Sequence, residues 1–316
     1  MKPVKEHDYT TYPRRFVTYR WYKPLLVGLL FVVFYLIFAV AIIVVCGVSS
    51  GDYMNYLSGI AGGYDTMDVS TVLGVITYLG SVVVMIPALF LAGLIVRDRP
   101  FSSYSSAMGG FRGGLFGKLL LVALLVCGVP LLVLELIGGV AIDNRFTTVS
   151  FLALTVFGPL QCIAEEYLFR GFLMQTPASW FRIPVIGILL QAVIFASLHP
   201  YNMTGVITIF ATGVCMGVMA WICRGIEGSS AIHVVNNMIA FYLAGLGVDA
   251  LGSEVSVEGL VVTVVIDLVY IIVLLILRKK TDWFERVRKD DVAVWNEKKE
   301  AVYAARAARR AARRGE

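Results

Sequence analysis

Two adjacent carboxylates occupy an otherwise apolar stretch of the chain. Residues 161–175 have the sequence QCIAEEYLFRGFLMQ, in which Glu165 and Glu166 precede Arg170. Because an ionised side chain at the centre of a bilayer costs about 2.5–3.5 kcal/mol, such a group needs a partner or a function. Helical spacing predicts an ion pair between Glu166 and Arg170 and points Glu165 in another direction. The simpler alternative is an ion pair at a membrane surface.

Two histidines and an asparagine in the second half of the chain can complete a site with these carboxylates. His199 lies in the segment FASLHP, and His233 begins HVVNN, which places Asn237 on the same helical face one turn later. A carboxylate and an imidazole can together remove a proton from water. A second imidazole and an amide can donate hydrogen bonds to the oxyanion of a tetrahedral intermediate. These residue types therefore predict peptide hydrolysis without a protein nucleophile.

The same side chains can also be interpreted as a metal site. Glu165, His199 and His233 offer three ligands for a divalent ion such as zinc, which would lower the pKa of a bound water. The chain has no H-E-x-x-H sequence, the common helical zinc motif. A metal held in this way would leave no base for the water and no role for Asn237. The residues therefore favour a metal-free site with no cofactor, and zinc is the less favoured alternative.

The composition places the chain among polytopic membrane proteins. Of the 316 residues, 58% are hydrophobic and 16% are charged, whereas soluble domains carry about 25% charged residues. Uncharged runs such as 24–48 are long enough to cross a bilayer about 30 Å thick. The net charge of +5 does not indicate a nucleic-acid partner, because the basic residues lie at the chain ends and in alternate loops. The five cysteines include no C-x-x-C pair and are predicted to be core residues.

Hydropathy and helix-breaking residues predict eight membrane-spanning helices. Their approximate bounds are 24–48, 71–96, 118–141, 148–175, 184–199, 204–222, 230–247 and 259–277. With this arrangement, 25 of the 27 Lys and Arg residues lie in segments on the side of the two termini. The exceptions are Arg145 and Arg170. The positive-inside rule then places both termini in the cytoplasm.

The predicted spans divide the chain into four parts. These are a basic cytoplasmic N-terminal segment (1–23), transmembrane helices one to three (24–141), a catalytic core of helices four to eight (148–277) and a basic cytoplasmic tail (278–316). The tail is predicted to be helical, and its basic residues either contact anionic lipid headgroups or are simply solvated. Glu135 and Asp267 lie inside two of the spans and are interpreted as structural polar contacts.

Three short motifs occur in order in the second half of the chain. They are Glu165-Glu166-x-x-x-Arg170, Phe195-x-x-x-His199 and His233-x-x-x-Asn237. Over about 148–248 the chain resembles the CAAX-protease and bacteriocin-processing (CPBP or Abi) family of intramembrane endopeptidases. The resemblance implies an all-α polytopic membrane protein with a conical cavity holding the polar site. It also implies an activity like that of the type II CAAX prenyl endopeptidases, which cleave near the C-terminus of prenylated proteins, or the processing of bacterial peptides.

The resemblance implies a role for each polar residue as well. Glu165 and His199 would activate water. His233 and Asn237 would bind the oxyanion, and Arg170 would hold the carboxylates of Glu165 and Glu166 in place. Phe195 is interpreted as a packing residue.

The implied protein is a metal-free glutamic endopeptidase of a bacterial plasma membrane. Its partners would be the lipid bilayer and a membrane-associated peptide or protein substrate. The competing interpretations are a non-catalytic immunity or scaffold protein, a zinc-dependent variant of the protease, and a transporter with a proton relay. Against the transporter, the sequence has no repeated pair of broken helices.

The predicted spans create one geometric problem. If the fourth span ends near Gln175, Glu165 lies about 15 Å along the helix from that end. If the fifth span begins at Pro184, His199 lies about 22 Å from the same side of the membrane. The two side chains then meet only if the fifth span is tilted or begins outside the hydrocarbon.

Overall fold

The computed structural model describes residues 8–61, 68–248, 251, 253–285 and 289–314. Within these ranges the regular structure is helical, with one isolated bridge between Ser106 and Gly225. This confirms the predicted all-α fold class. The first seven residues of the predicted N-terminal segment and the loop residue Asp65 lie outside the described residues.

The described residues form helices that we number α1 to α11 in chain order. They are α1 (Lys23–Ser49), α2 (Tyr53–Ala61), α3 (Val72–Val96), α4 (Ser102–Ser105), α5 (Gly113–Ile137), α6 (Thr148–Phe181), α7 (Pro184–Ser197), α8 (Met203–Cys223), α9 (Glu227–Gly245), α10 (Val257–Lys280) and α11 (Asp291–Arg314). A short 3₁₀ turn, Tyr12–Arg15, precedes α1. The helix α2 occupies part of a segment that was predicted to be a loop.

Six of these helices, α1, α3, α5, α6, α8 and α10, are long and apolar enough to cross a membrane. This confirms the predicted polytopic membrane class. The other two predicted spans correspond to α7, which has 14 residues, and α9, which begins with the polar sequence EGSS. At 1.5 Å per residue α7 covers about 21 Å, less than the hydrocarbon thickness. The predicted number of eight crossings therefore depends on these two helices.

The helix that carries the two glutamates is longer than predicted. It begins at a capping box, in which the side chains of Thr147 and Ser150 each accept the other residue's backbone N–H. It does not end near Gln175 but continues through Pro177 to Phe181. The sequence therefore predicted the start of α6 correctly and its end wrongly.

A π-helical turn explains how α6 continues past a proline. Residues Tyr167–Leu173 are π-helical, so the backbone hydrogen bonds already change register just before Pro177 removes a donor. The chain reverses at Arg182, which has a left-handed φ of 61°. Pro184 then begins α7, a position where its missing N–H costs no helical hydrogen bond.

The longer α6 removes the expected difference in depth between Glu165 and His199. From the turn between the two helices, Glu165 lies about 24 Å along α6, and His199 lies about 22 Å along the path of α7. The rings of Phe169 and Phe195 meet with their centroids 4.8 Å apart, which aligns the two helices below the site. Both polar residues therefore reach the same level, and no special tilt of α7 is required.

The N-terminal and C-terminal segments pack together at one end of the helix bundle. We call this the terminal end and define it as residues 8–22, 97–112, 281–285 and 289–299. Tyr9 is fully buried. The backbone N–H of Val17 donates to Asn296 Oδ1 at 2.8 Å, and Trp295 Nε1 donates to the Thr18 hydroxyl at 2.9 Å. The tail is thus anchored over its first turns, whereas residues 300–310 are exposed.

Candidate active site

The most deeply buried part of the site is an ion pair on α6. Arg170 Nη1 donates to Glu166 Oε1 at 2.8 Å, and both side chains have no exposed surface. The pair has the i, i+4 spacing that the sequence predicted. His233 on α9 places its Nδ1 3.0 Å from the same glutamate oxygen. Glu166 is therefore held from two sides, by its own helix and by α9.

Glu165, the neighbouring carboxylate, has a different environment. Its Oε2 lies 3.3 Å from His233 Nε2, and its side chain is 13% exposed. The imidazole of His233 thus lies between the two glutamates, with one ring nitrogen facing each of them. Both contacts are hydrogen bonds when both ring nitrogens carry a proton, since each carboxylate is an acceptor. Of the two carboxylates, Glu165 is the one with exposed side-chain surface.

His199 lies just past the end of α7, and its ring is oriented by that helix end. Its Nδ1 is 2.7 Å from the carbonyl oxygen of Phe195 in the last turn of α7. The same carbonyl accepts a longer hydrogen bond, 3.4 Å, from the backbone N–H of Leu198. With the proton on Nδ1, the other nitrogen, Nε2, is an acceptor, which a general base requires. The ring of Tyr201 stacks on the imidazole at 6.0 Å between centroids.

A single phenyl ring connects the polar residues of α6, α7 and α9. The centroid of Phe195 is 4.7 Å from that of His199 and 6.4 Å from that of His233. The guanidinium of Arg170 lies over the same ring at 4.7 Å. These contacts agree with the interpretation of Phe195 as a packing residue, one that keeps the two imidazoles at a fixed separation.

Asn237 is linked to the site through a glutamine that the motifs did not include. Its Nδ2 donates to Gln161 Oε1 at 3.4 Å, and Gln161 lies one helical turn before Glu165. Tyr201 was also missed, and burial followed by the Glu165 charge raises its pKa. The spacing of four residues from Gln161 to Glu165 was the available signal; for Tyr201 the sequence offered only its proximity to His199.

The ligands expected for the zinc alternative do not converge. Among the residues that the structure describes, no group of three or more His, Cys, Asp or Glu side chains has the geometry to hold a metal ion. Glu165 and His233 are adjacent, but His199 faces a backbone carbonyl with its Nδ1. The five cysteines are free and buried, as predicted.

Several buried polar atoms near Arg170 have no hydrogen-bond partner among the described residues. They are Glu166 Oε2, Arg170 Nε, Gln191 Oε1, Thr212 Oγ1 and Asp267 Oδ2. Buried polar groups of this kind are usually satisfied by internal water. Asp267, only 4% exposed, was predicted to make structural polar contacts, and it lies among these groups.

A cavity of about 1200 Å³ lies beside the site, at the end of the bundle opposite the terminal end. We call this the cavity end; its loops join α5 to α6, α7 to α8 and α9 to α10. Tyr201 and Asn236 belong to the cavity wall, whereas Glu165 and His233 do not line it. The resemblance implied a cavity that holds the polar site. Here the cavity adjoins the site and shares a wall with it.

Residues 146–239 match the family model described as Rce1-like, type II CAAX prenyl endopeptidase. Over this segment, less than a third of the chain, the sequence is similar to that family. The matched segment contains all three motifs and confirms the resemblance drawn from them. At the level of the family it supports a membrane endopeptidase of the CAAX-protease type. No curated protein and no solved structure matched the chain.

Proposed function

We propose that this protein is an intramembrane endopeptidase that hydrolyses a peptide bond of a membrane-associated protein or peptide. The attacking water is activated by its own carboxylate and imidazole, without a metal. The observation that carries the proposal is the contrast between the paired glutamates. Glu166 is fully buried and held by Arg170, whereas Glu165 is accessible and lies beside His233.

In this mechanism water binds between Glu165 and the acceptor nitrogen of His199. Glu165 takes a proton from the water as its oxygen forms a bond to the carbonyl carbon of the substrate. Protonation of Glu165 weakens its contact with His233 Nε2, so that His233 Nε2 and Asn237 Nδ2 donate hydrogen bonds to the resulting oxyanion. The proton then passes to the leaving nitrogen as the carbon–nitrogen bond breaks.

The remaining polar residues act by holding these groups in place. Arg170 balances the charge of Glu166, and Glu166 orients the imidazole of His233 through Nδ1. Glu166 and Arg170 have no exposed side-chain surface, so bulk solvent does not compete for the hydrogen bond between them. Positioning of this kind is what converts a weakly basic carboxylate into an effective catalyst.

The test compares membranes that contain the wild-type protein with membranes that contain Glu165→Gln, a change that keeps the shape and removes the base. Proteomics should detect C-terminal or leader fragments that are absent with Glu165→Gln. The matched control is Glu258→Gln, an exposed glutamate at the start of α10, which should leave the fragments unchanged. Normal cleavage by Glu165→Gln would contradict the assignment of Glu165 as the base. Identical fragments with and without the protein would favour the non-catalytic scaffold.

A second experiment addresses the metal. Cleavage by a metal-analysed sample should survive exhaustive chelation, because the proposed base and oxyanion donors are all side chains. Stoichiometric zinc whose removal stops cleavage, and whose return restores it, would overturn the metal-free mechanism.

A further inference from the structure

The cavity touches the proposed site through two side chains of its wall. Tyr201 stacks on the imidazole of His199. Asn236 Nδ2 donates to Asn237 Oδ1 at 3.2 Å. A ligand in the cavity is therefore one side chain away from both His199, which helps to hold the proposed water, and Asn237, a proposed oxyanion donor.

The charged groups that line the cavity differ in whether they have partners. Glu254 accepts a hydrogen bond from Asn202 Nδ2 at 2.7 Å, and Arg145 pairs with Asp143 at 3.3 Å. Glu135, near the end of α5, has no hydrogen-bond or ion-pair partner among the residues that the structure describes. A carboxylate in an apolar helix that faces a cavity and lacks a partner is expected to serve a ligand.

At the terminal end, by contrast, a buried cation and a buried carboxylate among the described residues bind each other. Arg112 donates to Glu227 from Nε at 2.9 Å and from Nη2 at 2.8 Å, and both side chains are buried. The loops of the cavity end contain a single Lys or Arg, which is Arg145. The positive-inside rule therefore assigns the cavity end to the non-cytoplasmic side.

We propose that peptide substrates enter from the non-cytoplasmic side through this cavity, and that Glu135 binds an ammonium or guanidinium group of the peptide. The cleavage that follows rests on the proposed function, but entry and charge preference do not. A cation of the peptide neutralises Glu135, the cavity carboxylate that lacks a partner among the described residues. The peptide backbone beyond it then reaches the wall formed by Tyr201 and Asn236.

The test measures thiol labelling and requires no cleavage. Ala240→Cys on α9 and Thr263→Cys on α10 place a thiol in the cavity wall, and the five native cysteines are buried. Right-side-out vesicles are treated with a cationic reagent, trimethylammonioethyl methanethiosulfonate, or with the anionic sulfonatoethyl methanethiosulfonate. Ala301→Cys, on the exposed part of α11, is the control for sidedness and should react only after the vesicles are opened.

Both cavity thiols should react in sealed vesicles, and faster with the cationic reagent. Glu135→Gln should lower the ratio of cationic to anionic rates by about three- to tenfold, and Glu135→Lys should invert the preference. Glu258→Gln, an acidic residue at the same end that does not line the cavity, should leave the ratio unchanged. Labelling only in opened vesicles, or an equal ratio in wild type and both Glu135 variants, would overturn the proposal. If one Glu135 variant fails to fold, the other decides.

Peptide protection identifies the source of the cation. An acetylated decapeptide with three lysines should slow labelling of Ala240→Cys if a side chain is bound. A non-acetylated decapeptide with glutamines in those positions should slow it if the amino terminus is bound. Protection by neither peptide, or by an acetylated glutamate peptide equally, would contradict the assigned role of Glu135.

The outcome is separable from that of the proposed function. Glu165→Gln protein should give the same labelling and protection as wild type. Normal labelling together with identical fragments in membranes with and without the protein would reject the protease and keep the cavity assignment. The reverse result would reject the cavity assignment alone.

Discussion

The terminal end and the cavity end of the bundle use the same kind of ion pair to opposite effect. At the terminal end, Arg112 and Glu227 are both buried and share three hydrogen bonds, two of them between their side chains. At the cavity end, Arg145 and Asp143 pair at 3.3 Å with 57% and 76% of their side chains exposed. The first pair is packed inside the bundle, whereas the second lies on its surface in contact with solvent.

The difference extends to the neighbouring polar groups. At the terminal end the Tyr9 hydroxyl donates to the Tyr104 carbonyl, and the guanidinium of Arg99 lies 3.9 Å from the Tyr104 ring centroid. Burial raises the pKa of Asp98 at the same end. At the cavity end Glu135 is left without a partner among the described residues. Among the described residues, the terminal end thus holds a buried, hydrogen-bonded ion pair, whereas the cavity end holds an exposed pair and a carboxylate without a partner.

The first prediction concerns the side of the membrane on which each end of the bundle lies, where a fused reporter gives an all-or-none result. A reporter fused after Glu316 should lie in the cytoplasm, and one inserted near Asp65 should lie on the other side, since Lys and Arg cluster at the terminal end. Phosphatase and fluorescent-protein fusions expressed in the same host measure both positions. A C-terminus outside the cytoplasm would contradict the eight-span arrangement and reverse the sides assigned to the two ends.

Breaking the closed end should lower stability strongly. Arg112→Gln would leave Glu227 buried without its cation, which is expected to cost about 3–5 kcal/mol of unfolding free energy. Chemical unfolding in detergent measures the loss. Arg145→Gln is the matched control at the open end, where an exposed pair should contribute within about 0.5 kcal/mol. Equal losses for the two variants would show that the ends do not differ in rigidity.

Between the two ends, the adjacent residues Asn236 and Asn237 are expected to affect different kinetic constants. Asn237→Ala should lower kcat by roughly 10²–10³, the cost of one oxyanion donor. Asn236→Ala, in the cavity wall, should mainly raise KM. Cleavage kinetics on the substrate identified by proteomics measure both. An equally large loss of kcat in Asn236→Ala would show that Asn236 also takes part in the chemical step, contrary to its assignment to the cavity wall.

The smallest expected effect concerns the contact between the termini. Asn296→Ala removes a hydrogen bond from the N–H of Val17 and one to the carbonyl of Arg15, at a cost of about 1–2 kcal/mol. Faster limited proteolysis of residues 8–22 should report the loosened segment. Glu297→Ala, its exposed neighbour, should leave the rate unchanged; similar acceleration by both would mean that the contact contributes nothing to closure.

Local spacing explains what could be predicted about the site. Glu166 and Arg170 lie one helical turn apart, so their ion pair follows from helix geometry alone. Composition likewise predicted the membrane class, since uncharged apolar runs of about 20 residues or more are typical of transmembrane helices. The motif residues around His199 and His233 were found because charged and polar groups are rare in such segments.

The partner of Glu165 could not be found in this way. His233 lies on another helix, far along the chain, and its contact with Glu165 depends on how α6 and α9 pack. The depth of the site depended on α6 continuing through Pro177, a position where propensity favours a break. A π-helical turn before that proline changes the hydrogen-bond register. No local sequence pattern predicts such a turn.

The membrane class, most of the helices and the three motifs could be predicted from the sequence alone, because each depends on residues that are close in the chain. The tertiary structure decided which glutamate is buried, which imidazole lies between the carboxylates and which end of the bundle is closed. It also decided that Glu135 faces a cavity. These features depend on side chains from separate helices meeting at one level, and the energy of such contacts is set by packing and burial, which spacing along one helix does not specify.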